Sequence, residues 1–493
     1  MLRKIRLTLA VLFFLAVTLL FLDFTGTVHA WLGWTARIQF LPALLALNLG
    51  IVLALVALTL VFGRIYCSVV CPLGVLQDVI AWFGKKRKKN RYSYSPAKAW
   101  LRYGVLALFV IALVAGVGSF VALLAPYSSY GRIAGNLFAP IYQWGNNFLA
   151  YMAERADSYA FYETEVWIKS IPTFVVALAT LIVIGVLAWR NGRTYCNTVC
   201  PVGTVLGFVA HWSWLKPVID TEKCVNCKLC ARNCKASCID VANHSIDYSR
   251  CVSCMDCIEK CSTGAIGYRH VANVEKHPKA VAGVDANRRN FLTATVMVAT
   301  TAVLNAQGKK VDGGLAVIED KKAARRKTAI VPPGAWSARH FAQHCTACQL
   351  CVSVCPNVVL RPSADPLKLM QPEMSYERGY CRPECVKCSE VCPSGAIRPI
   401  TVADKSSMQI GHAVWIRKNC VPLTDGVSCG NCARHCPTGA ITMMPSVASD
   451  PNSLKIPAIN VERCIGCGAC EYSCPSRPFS AIYVEGIQMH REL

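Results

Sequence analysis

The sequence predicts a multi-domain protein in which a four-helix transmembrane bundle carries small α+β modules folded around cysteine clusters. Three observations predict it. Of 493 residues, 54% are hydrophobic, more than a soluble chain of this length usually carries. Four apolar segments, Ile5 to Leu22, Ile38 to Phe62, Leu101 to Pro126 and Ile171 to Trp189, are long enough to cross a hydrocarbon core. The 29 cysteines fall almost without remainder into recurring groups. The implied division is a membrane unit over 1–212, a first cysteine-rich module over 213–275, a linker over 276–330 and a second module over 331–493.

Lys and Arg accumulate in cytoplasmic loops, and this orients the four helices. Arg3, Lys4 and Arg6 precede the first. The stretch from Arg64 to Lys98 holds eight basic residues, including KKRKKNR at Lys85 to Arg91, against the single acid Asp78. The loop between helices three and four balances Arg132, Arg155 and Lys169 with Glu154, Asp157, Glu163 and Glu165. Both ends of the unit are therefore expected at the cytoplasmic face. A shorter apolar run, Phe291 to Asn305, is a candidate fifth span.

A duplicated element follows two of the apolar segments, GRIYCSVVCPLG at Gly63 to Gly74 and GRTYCNTVCPVG at Gly192 to Gly203. If the first turn after the membrane helix is helical, Cys-x-x-x-Cys puts both sulfurs on one face, and proline can open the next helix at its first position. Duplication suggests a pseudo-twofold arrangement that brings Cys67, Cys71, Cys196 and Cys200 to one place. Three chemistries fit: an additional iron-sulfur centre, a soft ion such as Cu(I), or dithiol-disulfide cycling. In the first, Arg64 and Arg193 would offset anionic sulfur and raise its potential. Cysteines that merely fill gaps at a helix turn are the bland alternative.

Cys224, Cys227, Cys230, Cys234 and Cys251, Cys254, Cys257, Cys261 both have the spacing C-x2-C-x2-C-x3-C. In this bacterial ferredoxin run, three close cysteines grip one cubane and the fourth ligates its neighbour. Crossed pairing gives one site from Cys224, Cys227, Cys230 and Cys261, and another from Cys251, Cys254, Cys257 and Cys234. The later module adds Cys345, Cys348, Cys351, Cys355; Cys381, Cys385, Cys388, Cys392; Cys420, Cys429, Cys432, Cys436; and Cys464, Cys467, Cys470, Cys474. Each fourth cysteine precedes proline, and two continue as CPSGAI and CPTGAI. Six [4Fe-4S] clusters are expected. Whether group one pairs with group two or with group four stays open, as does whether Cys238 replaces Cys234 as a ligand. Zinc sites use two separated pairs, and disulfide frameworks suit small secreted domains, so neither explains six copies of one spacing.

The formal charge of +23 would invite nucleic acid as a partner. Six cubanes with their thiolates carry roughly −12 that the sum omits, so the basic excess reads as cluster compensation and membrane orientation, and nucleic acid is not expected. The chain has no Gly-x-Gly-x-x-Gly after a strand, no Cys-x-x-Cys-His and no nucleophile-base signature.

GRxYCxxxCPxG, repeated on a four-helix unit ahead of a two-cluster ferredoxin, resembles the NapH family of membrane quinol dehydrogenases, which shares the element with NosR- and CcoG-like proteins. That resemblance covers about Met1 to Gly267. The second half is similar to the NapG and MauM four-cluster ferredoxins, and RRNFL at Arg288 to Leu292 looks like a twin-arginine export signal, here internal. The resemblance implies a protein of the bacterial inner membrane that oxidises quinol, holds two clusters in the cytoplasm and four in the periplasm, and serves a periplasmic or membrane redox partner. Lys309, Lys310, Lys321, Lys322, Arg325, Arg326 and Lys327 argue instead for a cytoplasmic second half. Rival functions are copper handling by the Cys-x-x-x-Cys pairs and a polyferredoxin subunit without a quinone site.

Overall fold

The computed structural model describes residues 2–23, 25–87, 92–158, 160–270 and 319–493. Two apolar segments form uninterrupted helices of 21 residues, α1 (Leu2–Leu22) and, later, Ile171–Asn191. At 1.5 Å per residue each is ~30 Å long, about the thickness of a hydrocarbon core.

The other two segments depart from expectation. Ile38 to Phe62 is broken: a short helix over Phe40–Leu45 ends where Leu47 turns left-handed, φ 53°. Asn48 then caps α2 (Leu49–Phe62) by accepting from Ile51 N at 3.3 Å. Leu101 to Pro126 is broken where Gly116, at φ 75°, ends α4 (Ala99–Ala115), which follows α3 (Pro72–Arg87). A run of hydropathy cannot register such breaks, because a residue's backbone sign leaves no trace in its polarity. The four-helix bundle of full spans is thereby reduced, among the described residues, to two long apolar helices and shorter ones packed beside them.

The expected loop between helices three and four is helical: α5 (Pro126–Ile133), a π turn over Ala134–Phe138, then α6 (Ala139–Glu154). After α7 (Ile171–Asn191) comes α8 (Pro201–Ala210). Leu12 and Leu15 on α1, Ile111 and Val114 on α4, and Ile182 and Val183 on α7 are more than half exposed, an apolar surface suited to lipid. The candidate fifth span and RRNFL lie outside the described residues.

The first cysteine module is a pair of similar halves. Strands β1 (Leu215–Ile219) and β4 (Ile266–His270) run antiparallel with Ile219 opposite Ile266, and β2 (Ile239–Asp240) pairs with β3 (Ser245–Ile246). The second module repeats the plan with β5 (Leu360–Pro362) on β6 (Pro372–Met374), β8 (Ile441–Pro445) on β9 (Lys455–Ile459), and the long β7 (Met408–Trp415) on β10 (Ile482–Glu492). Residues 319–330, expected as linker, belong to this module. Lys321 donates to the carbonyls of Glu471, Tyr472 and Cys474, and the Arg326 guanidinium holds Glu471 at 2.6 Å. Two charges of the basic run are thus bound inside the module and are not free to orient a membrane segment.

The two modules sit at opposite ends of α1. At its start, Arg3 bonds Asp256 of the first module at 2.8 Å. Beyond its end, Thr25 accepts from Lys387 of the second at 3.0 Å, and α1 itself packs on the short helix Leu350–Ser353. Asn136, Glu165 and Lys169 extend the second junction through Gln349, Arg378 and the Val352 carbonyl. Trp167 is stacked by Arg361 and Arg378, both at 4.5 Å.

Candidate redox centres

Each duplicated element is built the same way. Gly63 (φ 66°) and Gly192 (φ 71°) end α2 and α7 in a backbone region closed to side-chain-bearing residues. A single turn follows, in which Cys71 N and Cys200 N each reach a tyrosine carbonyl, of Tyr66 and Tyr195, at 3.0 Å. Pro72 and Pro201 then open α3 and α8. The sequence expectation of a helical turn between the cysteines therefore agrees with the structure.

The two elements interlock about a pseudo-twofold axis. Arg64 Nη2 lies 3.9 Å from its own Cys67 Sγ and donates to the carbonyl of Cys196 at 3.2 Å. Arg193 Nη1 lies 3.8 Å from its own Cys196 Sγ and donates to the carbonyl of Cys67 at 2.7 Å. Both arginines are fully buried. A side chain at Gly74 would fall 2.3 Å from Cys67 O, and one at Gly203 would fall 2.3 Å from Cys196 O, which explains the glycine after each Cys-Pro. Cys67, Cys71, Cys196 and Cys200 are buried and within electrostatic reach of one another. Burial pushes Cys67, Cys71 and Cys200 up, with like charges adding to it, while Arg64 and Arg193 oppose the shift at Cys67. Such thiols become thiolates only with a cationic centre among them.

The repeat is not perfectly symmetric. Gln77 Nε2 approaches Cys196 Sγ at 3.3 Å. Asp78 bonds Arg193 at 2.7 Å, Lys235 at 3.0 Å and Arg6 at 3.3 Å. The position equivalent to Asp78 in the second repeat is Gly207, packed against Arg102. Sequence reasoning passed over Gln77, Asp78 and Lys235. The signal was present in Asp78, the lone acid of a basic stretch with no partner in the copy.

The six ferredoxin-spaced groups gather as crossed sets. Cys224, Cys227, Cys230 and Cys261 line one hollow. Cys251, Cys254 and Cys257 meet Cys234, while Cys238 sits 3.5 Å from Cys234 and bonds Cys251. In the second module the open pairing resolves: Cys392 joins Cys345, Cys348 and Cys351, and Cys355 joins Cys381, Cys385 and Cys388. Likewise Cys474 joins Cys420, Cys429 and Cys432, and Cys436 joins Cys464, Cys467 and Cys470. Group one thus pairs with group two, and group three with group four. Four of the six loops share left-handed pairs between their cysteines, Asn226 and Lys228, Ser253 and Met255, Ala347 and Gln349, Gly466 and Gly468. This winding turns backbone N–H groups inward, as where Ala347 N approaches Cys345 Sγ at 3.4 Å. The two groups with widened first gaps lack it: Val386 and Gly430 keep negative φ. Past the Cys-Pro endings, Ile397 N, Ala440 N and Ala481 N approach Cys392, Cys436 and Cys474 sulfurs at 3.3–3.4 Å.

All 29 cysteines are free thiols, and among the described residues no three His, Cys, Asp or Glu side chains are close enough to hold a single metal ion. Cubane ligands stand farther apart than ligands of one ion, so crossed four-thiol sets with inward N–H groups fit iron-sulfur clusters and not mononuclear zinc.

Such a chain is an iron-sulfur electron-transfer protein of the ferredoxin type. A family model described as a 4Fe-4S binding domain matches twice, at residues 44–90 and 172–219, which contain the two duplicated elements, and a 4Fe-4S dicluster domain matches 427–477. The methylamine utilization ferredoxin-type protein MauM of Methylophilus methylotrophus is 31% identical over 166 residues, 33% of this chain and 72% of its own. Ferredoxin-type protein NapG of Escherichia coli is 32% identical over 177 residues, 33% of this chain and 75% of its own. Ferredoxin-type protein NapF of the same organism is 28% identical over 176 residues, 36% and 98% of the two chains. No solved structure matches. The chain belongs to the NapG/MauM family of ferredoxin-type proteins, by a stretch about one third of its length.

Proposed function

We propose that this protein carries electrons across the bacterial inner membrane, from quinol to a redox partner, through six [4Fe-4S] clusters and one further iron-sulfur centre on Cys67, Cys71, Cys196 and Cys200. The observation that carries the reading is the position of these four thiols between the two modules. On one side Arg64, which reaches Cys67, donates to Ser249 O at 3.0 Å beside Cys251, and Asn197 donates to Ala236 O at 3.2 Å beside Cys234. On the other, Tyr66 lies within reach of Cys67 and Cys71, and buried Tyr127 within reach of both Tyr66 and Cys348. A series of sulfur sites from Cys224 to Cys474, following α1 from one module to the other, is what a conduit needs.

In this reading the first module faces the cytoplasm and the second the periplasm. Asp220 to Thr263 supply two clusters and Cys345 to Cys474 supply four, each on the crossed sets described above. The clusters supply one-electron chemistry when bound. The chain's own residues ligate them, exclude water and set their charge through Arg64, Arg193 and Lys235.

The test has two parts. A reporter fused after Leu493 should score as periplasmic, and a cytoplasmic score overturns the trans-membrane direction. In the anaerobically purified whole chain, menadiol should reduce clusters of both modules. In Cys196→Ser it should reduce those of the first module only.

A further inference from the structure

A cavity of about 480 Å3 lies between α1, α3 and the first cysteine module. Its size is that of a small-molecule site. Leu7 and Val11 of α1 face Val79 and Trp82 of α3 at the mouth, and each of these four is 40–53% exposed on the lipid-directed surface. The floor is charged: Asp78, Lys235 and Asp256, with Lys260 at the rim. We propose that this cavity is the quinone site. The inference rests on the quinol reading above and deepens it by giving the ring a place.

Two features select a quinone over an anionic lipid. First, the floor's cations are already matched. Lys235 lies between Asp78 at 3.0 Å and Asp256 at 3.1 Å, Arg6 and Arg193 are held by Asp78, and Arg3 by Asp256. A phosphate would have to displace a carboxylate, whereas a neutral ring can donate its hydroxyls to carboxylate oxygens or accept from the ammonium. Second, the floor is made from the loops of a redox centre. Lys235 follows Cys234, and Asp256 stands between Cys254 and Cys257. Through Arg193, Asp78 also touches the four-thiol site, 3.8 Å from Cys196 Sγ. A bound ring would thus lie against the cluster of Cys234, Cys251, Cys254 and Cys257, its polyprenyl chain leaving between α1 and α3. Quinol becomes quinone by losing two electrons and two protons. The cluster that Cys234, Cys251, Cys254 and Cys257 would hold would take up the two electrons one at a time and hand them on to the neighbouring centres. The protons leave to water at the Lys260 rim. Because Gly207 replaces Asp78 in the second repeat, only the first repeat supplies this carboxylate.

The experiment uses the whole cluster-loaded chain in nanodiscs. Val79→Trp and Val11→Trp close the mouth from its lipid side, where added bulk does not disturb the core. Each should slow cluster reduction by menadiol by about tenfold or more. Dithionite should still reduce every cluster, and Val110→Trp on exposed α4 should match the unmodified chain. Reduction of both mouth variants at the unmodified rate overturns the site while leaving the quinol reading standing. An unmodified chain that menadiol cannot reduce overturns the quinol reading and the site with it. A photoreactive azidoquinone should label peptides of α1 and α3 and be displaced by menadiol. Equal displacement by phosphatidylglycerol would make the cavity a lipid groove and overturn the proposal.

Discussion

Arg193 of the second duplicated element donates to the carbonyl oxygen of Cys67 in the first at 2.7 Å, and Arg64 returns the bond to Cys196 O at 3.2 Å. Each element closes its own turn through its tyrosine carbonyl, but its first cysteine carbonyl is satisfied by the other element. Each supplies the cation that fixes the other's cysteines, so the four-thiol site exists only when both copies are docked.

Replacement of Arg193 by lysine should therefore disturb both copies. Lysine keeps the charge but loses the fork that reaches Asp78 and Cys67 O together. Any iron held at the four-thiol site should fall with the ferredoxin clusters retained, as read by iron content and electron paramagnetic resonance. Arg64→Lys should behave alike.

Asp78→Asn leaves Arg193, Arg6 and Lys235 buried around a neutral amide, at a cost of about 3–5 kcal/mol, measured as a fall in thermal midpoint. Burial pushes the Asp78 carboxyl up, but the Arg193 and Lys235 charges outweigh it and hold it well below the usual range. A folded value below the unfolded one gives stability that is complete above pH ~4 and lost as pH falls further. Acid unfolding of the unmodified chain should begin in that window. Asp78→Asn should flatten this part of the profile.

Gly74→Ala and Gly203→Ala should each cost about 1–3 kcal/mol, because each new methyl meets a cysteine carbonyl at 2.3 Å that cannot yield alone. Pseudo-symmetry predicts closely matched losses. Gly104→Ala on α4 meets nothing within 4 Å and should not destabilise, which separates the close approach from a general effect of alanine.

Cys355→Ser should remove the cluster of Cys381, Cys385 and Cys388 and spare that of Cys345, Cys348 and Cys351, although Cys355 belongs to the latter run in sequence. Mössbauer spectra of the whole chain check this. Loss of the other cluster would refute the crossed pairing.

Burial pushes the His490 imidazole down to about 4, and neither ring nitrogen has a hydrogen-bond partner. Its folded value lies below the unfolded ~6.5, so it contributes stability above that pH, lost progressively as pH falls toward 4. Thermal melts between pH 7 and pH 5 should show a smaller decline in His490→Leu than in the unmodified chain.

Local spacing was enough for much of this. The C-x2-C-x2-C-x3-C runs, the crossed pairing in the first module and the duplicated Gly-Arg-x-Tyr-Cys elements are properties of neighbouring residues, and the structure gathers those cysteines as the spacing implies. The apolar segments were also legible as helices. Their breaks at Leu47 and Gly116 were not, because a left-handed residue changes chain direction without changing hydropathy. The pairing of the second module, the adoption of residues 319–330 by it, and the cage of cations around Asp78 join residues far apart in the chain. Arg6 and Lys235 each look like an ordinary charge in their own stretch of sequence, and nothing local ties Asp78 to Arg193. Only packing took them out of water, and a buried charge must find its opposite wherever the fold puts it. The sequence alone determined the cysteine spacings and the duplicated element, because both are carried by short runs of neighbouring residues. The tertiary structure decided that the two elements dock between the modules with their four thiols together and a cavity beside them, because the contacts that hold them join residues far apart in the chain.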